Sequence, residues 1–254
     1  MKVAAYQAPL DATSSIYEIL YLIREQIDRC ESNGVEILCC PEAVIGGLAD
    51  YSACITEFAI NAETGELGTV LAPLASDSVT SIVGFTEINK TGLLYNSAAI
   101  FHKGSVVGIY RKLNPAINTS VYSAGNETPV FRINGLTFGI VICNDSNYGE
   151  LARIMAAQGS AAIFIPTNNG LPSKRFGPQL IVETKRVDIA RATENRIYVV
   201  RADVAGTLGE LTAYGASEIV GPDGEIIASA LQLEPDLIVA EIAINPRSST
   251  AAPP

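Results

Sequence analysis

Residues 136–153, LTFGIVICNDSNYGELAR, run an apolar strand straight into Cys143 and on into a polar turn and a helix. A thiolate attacks carbonyl and nitrile carbons where a thiol does not. A position between strand end and helix N-terminus puts backbone N–H groups and the positive end of a helix dipole beside the sulfur, both of which lower its pKa. Cys143 is therefore a candidate nucleophile. The competing reading is a plain buried cysteine, a common fate of this residue type in a chain with five of them.

What could assist that sulfur is narrowed by the single histidine, His102. In SAAIFHKGSVVGIYRK two alternating apolar runs flank His102-Lys103-Gly104, which reads as a hairpin turn with the imidazole in solvent. The chain also has no CxxC or HxxxH pair, which removes most zinc arrangements. A base must then be a carboxylate or a lysine, and two stand at the ends of other apolar strands. Glu42 ends VEILCCPEAVIGG, and a carboxylate at such a strand mouth is partly desolvated, which suits a general base. Lys112 ends VVGIYRKLNP, where Pro115 closes the strand. Taken singly, each could be an ordinary solvated charge.

Together, Glu42, Lys112 and Cys143 supply a base, a cation and a nucleophile at successive strand ends, and here the chain resembles the nitrilase, or carbon–nitrogen hydrolase, superfamily. The ordered fragments that carry the resemblance span nearly the whole length: VAAYQAPL, CCPEAVIGG, YNSAAIFHKGSVVGIYRKLNP, YSAGNETPVF, GIVICNDSNYGELAR, IPTNNG, ARATENRIYVVRADVAG and YGASEIVGPDGEII. The resemblance implies a Glu42–Lys112–Cys143 triad that attacks an amide, passes through a thioester and uses neither metal nor organic cofactor. It also implies that Lys112 and the backbone N–H of Asn144 stabilise the oxyanion, at about 3 to 4 kcal/mol for each donor.

Three departures from the family pattern bear on the substrate. Asn114 replaces a histidine after the lysine motif, and Asn118 stands where many members carry a second glutamate that positions lysine and substrate. An amide at 118 can still hydrogen-bond but leaves Lys112 one counter-ion short. After the nucleophile, Ser146 and Asn147 occupy positions where N-carbamoyl amino acid hydrolases have arginines, the residues suited to bidentate capture of a carboxylate. Such a substrate is disfavoured unless Lys174 or Arg175 reaches the pocket. Tyr148 and Asn168 are expected as pocket walls beside Asn118.

With 254 residues, 48% hydrophobic and 17% charged, the chain can bury a sizeable core as one domain over 1–254, ending in a short tail, SSTAAPP. A net charge of −10 argues against nucleic acid, since no basic run exceeds Lys174-Arg175. Five irregularly spaced cysteines suit a reducing cytoplasm, and MKVAAYQAPLDATSS enters a strand too soon for a signal peptide or membrane span.

Strands are predicted at 3–8, 35–40, 80–88, 95–102, 105–111, 161–165, 197–203, 216–220, 225–229 and 237–243, with a further hairpin over PVFRI-NG-LTFGIVIC. Helices are predicted at 13–32, 66–76, 147–158 and 178–195, the last with Leu180, Ile181, Val187, Ile189 and Ala190 toward the core. This order suits the α/β fold that the resemblance implies, a four-layer α–β–β–α sandwich of two mixed sheets. Members of the family pair through outer helices, so a homodimer or larger homo-oligomer is expected. Functionally, the leading expectation is a thiol amidohydrolase acting on a small linear amide, such as an ω-amide of a dicarboxylic acid. A nitrile or N-carbamoyl substrate is the nearest alternative, and a catalytically quiet binding or scaffold protein is another.

Overall fold

Alternation along the first strand feeds two separate interiors. In β1 (Lys2–Pro9), Val3 and Ala5 enter one hydrophobic cluster while Ala4, Tyr6 and Ala8 enter another, as the two-residue period of a strand requires. The next strand, β2 (Ile37–Cys39), repeats the pattern, with Ile37 and Cys39 on the first side and Leu38 on the second. The computed structural model describes residues 1–10, 15–52, 54–116, 120–172 and 178–244.

The first sheet continues through β3 (Ile60–Asn61), β4 (Thr80–Ile88), β5 (Leu94–His102) and β6 (Ser105–Arg111). The second is built from β7 (Val130–Ile133), β8 (Leu136–Ile140) and β9 (Ala162–Pro166), joined by three strands from the C-terminal part of the chain. A short β10 (Leu171–Pro172) returns to the first sheet. After β11 (Tyr198–Ala202) the chain changes sheets at Asp203, pairing β12 (Val204–Leu208) and β13 (Leu211–Tyr214) with the first sheet. It then returns to the second with β14 (Glu218–Val220) and β15 (Ile226–Ser229), and closes antiparallel to β1 with β16 (Asp236–Glu241). Ile37, Ile82 and Ile100 of one sheet meet Phe138, Ile163 and Val199 of the other in a shared core.

Helices cover both outer faces. In α1 (Ile16–Asn33), Leu20, Ile23, Ile27 and Cys30 recur at helical spacing against the first sheet. Its start is fixed by a reciprocal Ser15–Glu18 capping box and its end by left-handed Gly34. The single helix predicted for 66–76 is α2 (Glu66–Leu71) followed by a 3₁₀ turn at Ala72–Leu74, because Pro73 removes a donor from the ladder. Against the second sheet lie α3 (Gly149–Ala157) and α4 (Gln179–Asn195). The expected four layers are therefore present, and among the described residues no helix is long and apolar enough to cross a membrane.

Two local expectations are corrected and one hairpin is added. His102 does not sit in the turn: it ends β5, opposite Ser105, with Nδ1 2.7 Å from Thr80 Oγ1, and Lys103 and Gly104 alone make the two-residue turn with φ of 48° and 75°. The β12–β13 hairpin was not predicted, because VAGTLGELTAY lacks a sustained apolar alternation. The buried face of α4 is polar, formed by Thr184, Asp188 and Ala192, while Leu180, Ile181, Val187, Ile189 and Ala190 are half-buried.

That polar face exists to meet a charge in β11. Arg201, 2% exposed, donates from Nε and Nη2 to the two oxygens of Asp188 at 2.6 and 2.5 Å. Glu218 of β14 lies beside this pair with Oε1 unpartnered, and burial, then the charge of Asp188, pushes its carboxyl up to about 7 against the opposing pull of Arg201 and Lys185. A folded pKa above the unfolded value of 4.5 means that the native state holds the extra proton, so stability falls as pH rises from about 4.5 to about 7. Glu218→Gln should remove this loss, gaining about 2 to 3 kcal/mol over wild type at pH 8 and little at pH 4 in urea unfolding.

Candidate active site

Glu42 follows β2 on a turn that lies directly over β4. Cys40 N donates to Ile82 O at 2.8 Å and Ile45 N to Gly84 O at 3.1 Å. A Cβ at Gly84 would run into the Pro41 carbonyl, the Ala43 amide and Glu42 Cα, so only glycine lets the turn approach this closely. The carboxylate is 1% exposed and held by three donors: Oε1 accepts from Lys112 Nζ at 2.6 Å and Asn96 Nδ2 at 2.7 Å, and Oε2 from the Asn168 amide at 3.0 Å.

Lys112 leaves the end of β6 beside this carboxylate. Its backbone N–H extends the ladder to Asn96 O at 2.8 Å, and its carbonyl receives Gly125 N–H at 2.8 Å. Burial pulls its pKa down, but the charges of Glu42 and Cys143 outweigh that and hold the ammonium well above the usual lysine range. Asn96 thus grips the carboxylate with its side chain and the lysine with its main chain, while its own Oδ1 has no partner. Asn96→Ala is expected to lower kcat/KM by about 10- to 100-fold, because one of the donors that fix the Glu42 carboxylate is lost.

Cys143 begins a five-residue 3₁₀ turn, Cys143–Asn147, at φ 46°, a strained conformation for a residue with a Cβ. Its Sγ lies 4.0 Å from Asn169 Oδ1, whose amide is oriented by Nδ2 donating to Asp203 at 3.0 Å. The expected lowering of the thiol pKa is overturned. Burial, then the Glu42 charge, pushes it up to about 12 despite Lys112 and Arg201, since a short 3₁₀ turn supplies little dipole to offset desolvation.

Two side chains that sequence reasoning missed clamp this turn. Asp145, fully buried, accepts from Tyr110 Oη at 2.8 Å, Asn114 N at 2.8 Å, Asn114 Nδ2 at 2.9 Å and Ile142 N at 3.2 Å. Asn114 therefore ties the segment after Lys112 to the turn after Cys143. From the other side, Arg201 Nη2 donates to Ser146 Oγ at 3.0 Å, which donates to Cys143 O at 2.8 Å. A guanidinium therefore does reach Ser146, brought by β11, but Asp188 already neutralises it.

Glu42, Lys112, Cys143, Asn144 and Asn168 all line one cavity of about 730 Å³. Tyr148 is not among the lining residues: it is 49% exposed as the cap residue before α3. Asn118, Lys174 and Arg175 lie outside the described residues.

The carbon–nitrogen hydrolase profile matches residues 2–252. The chain belongs to the carbon–nitrogen hydrolase family. Its relatives include a nitrilase of Pyrococcus abyssi, 28% identical over 85% of this chain and 80% of that one. A chloroplastic omega-amidase of Arabidopsis thaliana is 26% identical over 92% of this chain and 65% of its own length. The fold is shared with an amidase of Nesterenkonia sp. at a TM-score of 0.78, with 23% identity over 99% of this chain and 93% of that one. As a carbon–nitrogen hydrolase of the nitrilase superfamily, the protein is an enzyme acting on carbon–nitrogen bonds.

Proposed function

We propose that the protein hydrolyses the carbon–nitrogen bond of a small linear amide through a thioester on Cys143. The observation that carries this reading is a buried ammonium 2.6 Å from a buried carboxylate, both lining the cavity onto which the Cys143 turn opens. A thiol pushed up to about 12 is protonated at neutral pH, so the proton must leave as the sulfur attacks.

Glu42 takes that proton while Sγ bonds to the carbonyl carbon, and the electron pair of the C=O moves to oxygen. Lys112 and the Asn144 amide stabilise the resulting oxyanion. Collapse of the adduct breaks the carbon–nitrogen bond, and Glu42 returns its proton to the leaving nitrogen, which departs as ammonia. Glu42 then deprotonates a water that attacks the thioester, the carbon–sulfur bond breaks, and the proton returns to the sulfur as the acid leaves. Asn168 serves in this scheme by holding Glu42 Oε2 through its amide. Relatives named for nitrile and amide hydrolysis support the bond type without naming this substrate.

The test is ammonia release from a panel of aliphatic amides, N-carbamoyl amino acids and nitriles by wild type and Glu42→Gln. Amide turnover reduced by about 10²- to 10⁴-fold in the variant is expected. Turnover confined to nitriles, or unaffected by Glu42→Gln, would refute the scheme.

A further inference from the structure

Each cation lining the cavity has an anionic partner among the described residues. Lys112 pairs with Glu42, Arg201 with Asp188, Arg191 with Glu194 and Arg186 with Glu183. One carboxylate in the same wall, Asp50, has no ion-pair partner among the described residues. It accepts from Ser120 Oγ at 3.0 Å and from the Val121 amide at 2.7 Å, neutral donors that orient it without cancelling its charge. The next residue, Tyr51, also lines the cavity and leaves half its surface open. Asp50 and Tyr51 share this cavity wall with Glu42, Lys112, Cys143 and Tyr122, and Tyr122 ties the start of their turn to the wall by accepting from the Ala49 amide at 2.7 Å.

A substrate carboxylate entering here meets cations that each already have an anionic partner and adds a negative charge to a wall that carries Asp50 and Glu42. An ammonium group meets a carboxylate of opposite sign and an aromatic face, the two surfaces that attract a cation most strongly. Resting on the reading of this cavity as the active site, we propose that Asp50 and Tyr51 hold a cationic end of the substrate. The preferred class is then a linear amide bearing an ammonium group, in place of the dicarboxylate ω-amide suggested by the sequence.

Three amides of equal chain length separate the charges: γ-aminobutyramide, valeramide and the half-amide of succinic acid. Their binding to Cys143→Ala by calorimetry requires no chemistry, and their kcat/KM with wild type adds turnover. The cation should bind about tenfold more tightly than the neutral amide, and the anion more weakly still. Asp50→Asn should bring the cation-to-neutral ratio close to unity, and about 0.5 M salt should shrink it in the parent protein. Ser120→Ala loosens the same loop clamp but keeps the charge, so it should retain the ratio. Equal or reversed preference, or a ratio unchanged by Asp50→Asn, overturns the proposal. Turnover without charge preference would overturn it and leave amide hydrolysis standing, whereas charge-selective binding without turnover would do the opposite.

Discussion

Cys143→Ala should lower ammonia release from the best amide substrate by about 10⁴-fold or more, leaving only what positioning and the oxyanion donors achieve without a nucleophile. The loss should lie in kcat, because the cavity wall is otherwise intact and substrate can still bind. Folding should change little: Sγ makes one weak polar contact, at 4.0 Å, besides its packing against the core, and the turn is held by Asp145 and Arg201, which the substitution does not touch. Unchanged circular dichroism with activity lost would assign the effect to chemistry. Activity retained within tenfold would remove Cys143 from the mechanism.

Lys112→Met should damage catalysis and stability together, which makes it the more discriminating substitution. Removing an oxyanion donor typically costs about 10²- to 10³-fold in kcat. The same change strips the ion-pair partner from a carboxylate that is 1% exposed, and breaking one side of a buried pair costs about 3 to 5 kcal/mol. Pairing it with Glu42→Gln should recover much of that stability, since no uncompensated charge then remains, while activity stays lost. Urea unfolding of the two single variants and the double variant measures this coupling. Additive stability losses would mean that the pair is not coupled as the 2.6 Å contact implies.

Glu42, Lys112 and Cys143 were legible as candidates because each stops an apolar run, and a charge or thiol at such a boundary stands out; Glu42 and Cys143 follow strands buried on both faces, whereas Lys112 ends a half-exposed one. The residues that aim them were not. Asn96 and Arg201 sit inside strands, YNSAAIFH and YVVRA, where one polar side chain looks like a break in the pattern. Their partners, Glu42 and Asp188, are 54 and 13 residues away in sequence, so no local spacing announces them. Asp145 has the same character, since its donors come from two elements about 30 residues upstream as well as from its own turn. Arg201 in an otherwise apolar strand was the one visible hint, because a buried guanidinium must have a carboxylate partner somewhere.

The strand order and hairpins were similarly legible where chemistry is local. Asn134-Gly135 takes φ of 48° and 89°, the two-residue turn its sequence predicts. The sheet change at Asp203 was not, because the transfer of β12 to the other sheet depends on distant partners, Ser217 Oγ and the Ala216 amide. The polar face of α4 defeated the search for apolar periodicity for the same reason: its buried stripe answers Arg201 through Asp188, and only Ala192 of that stripe enters the hydrophobic core.

The central claim is that the acyl group of the substrate is carried on Cys143. Acid-quenched single turnovers of an amide, followed by mass analysis of the peptide containing Cys143, test it most directly. A transient adduct on that peptide equal in mass to the acyl group, formed before ammonia release is complete and absent in Cys143→Ala, is the predicted result. Full turnover with no adduct at any time, in a protein whose Cys143→Ala variant remains active, would contradict it.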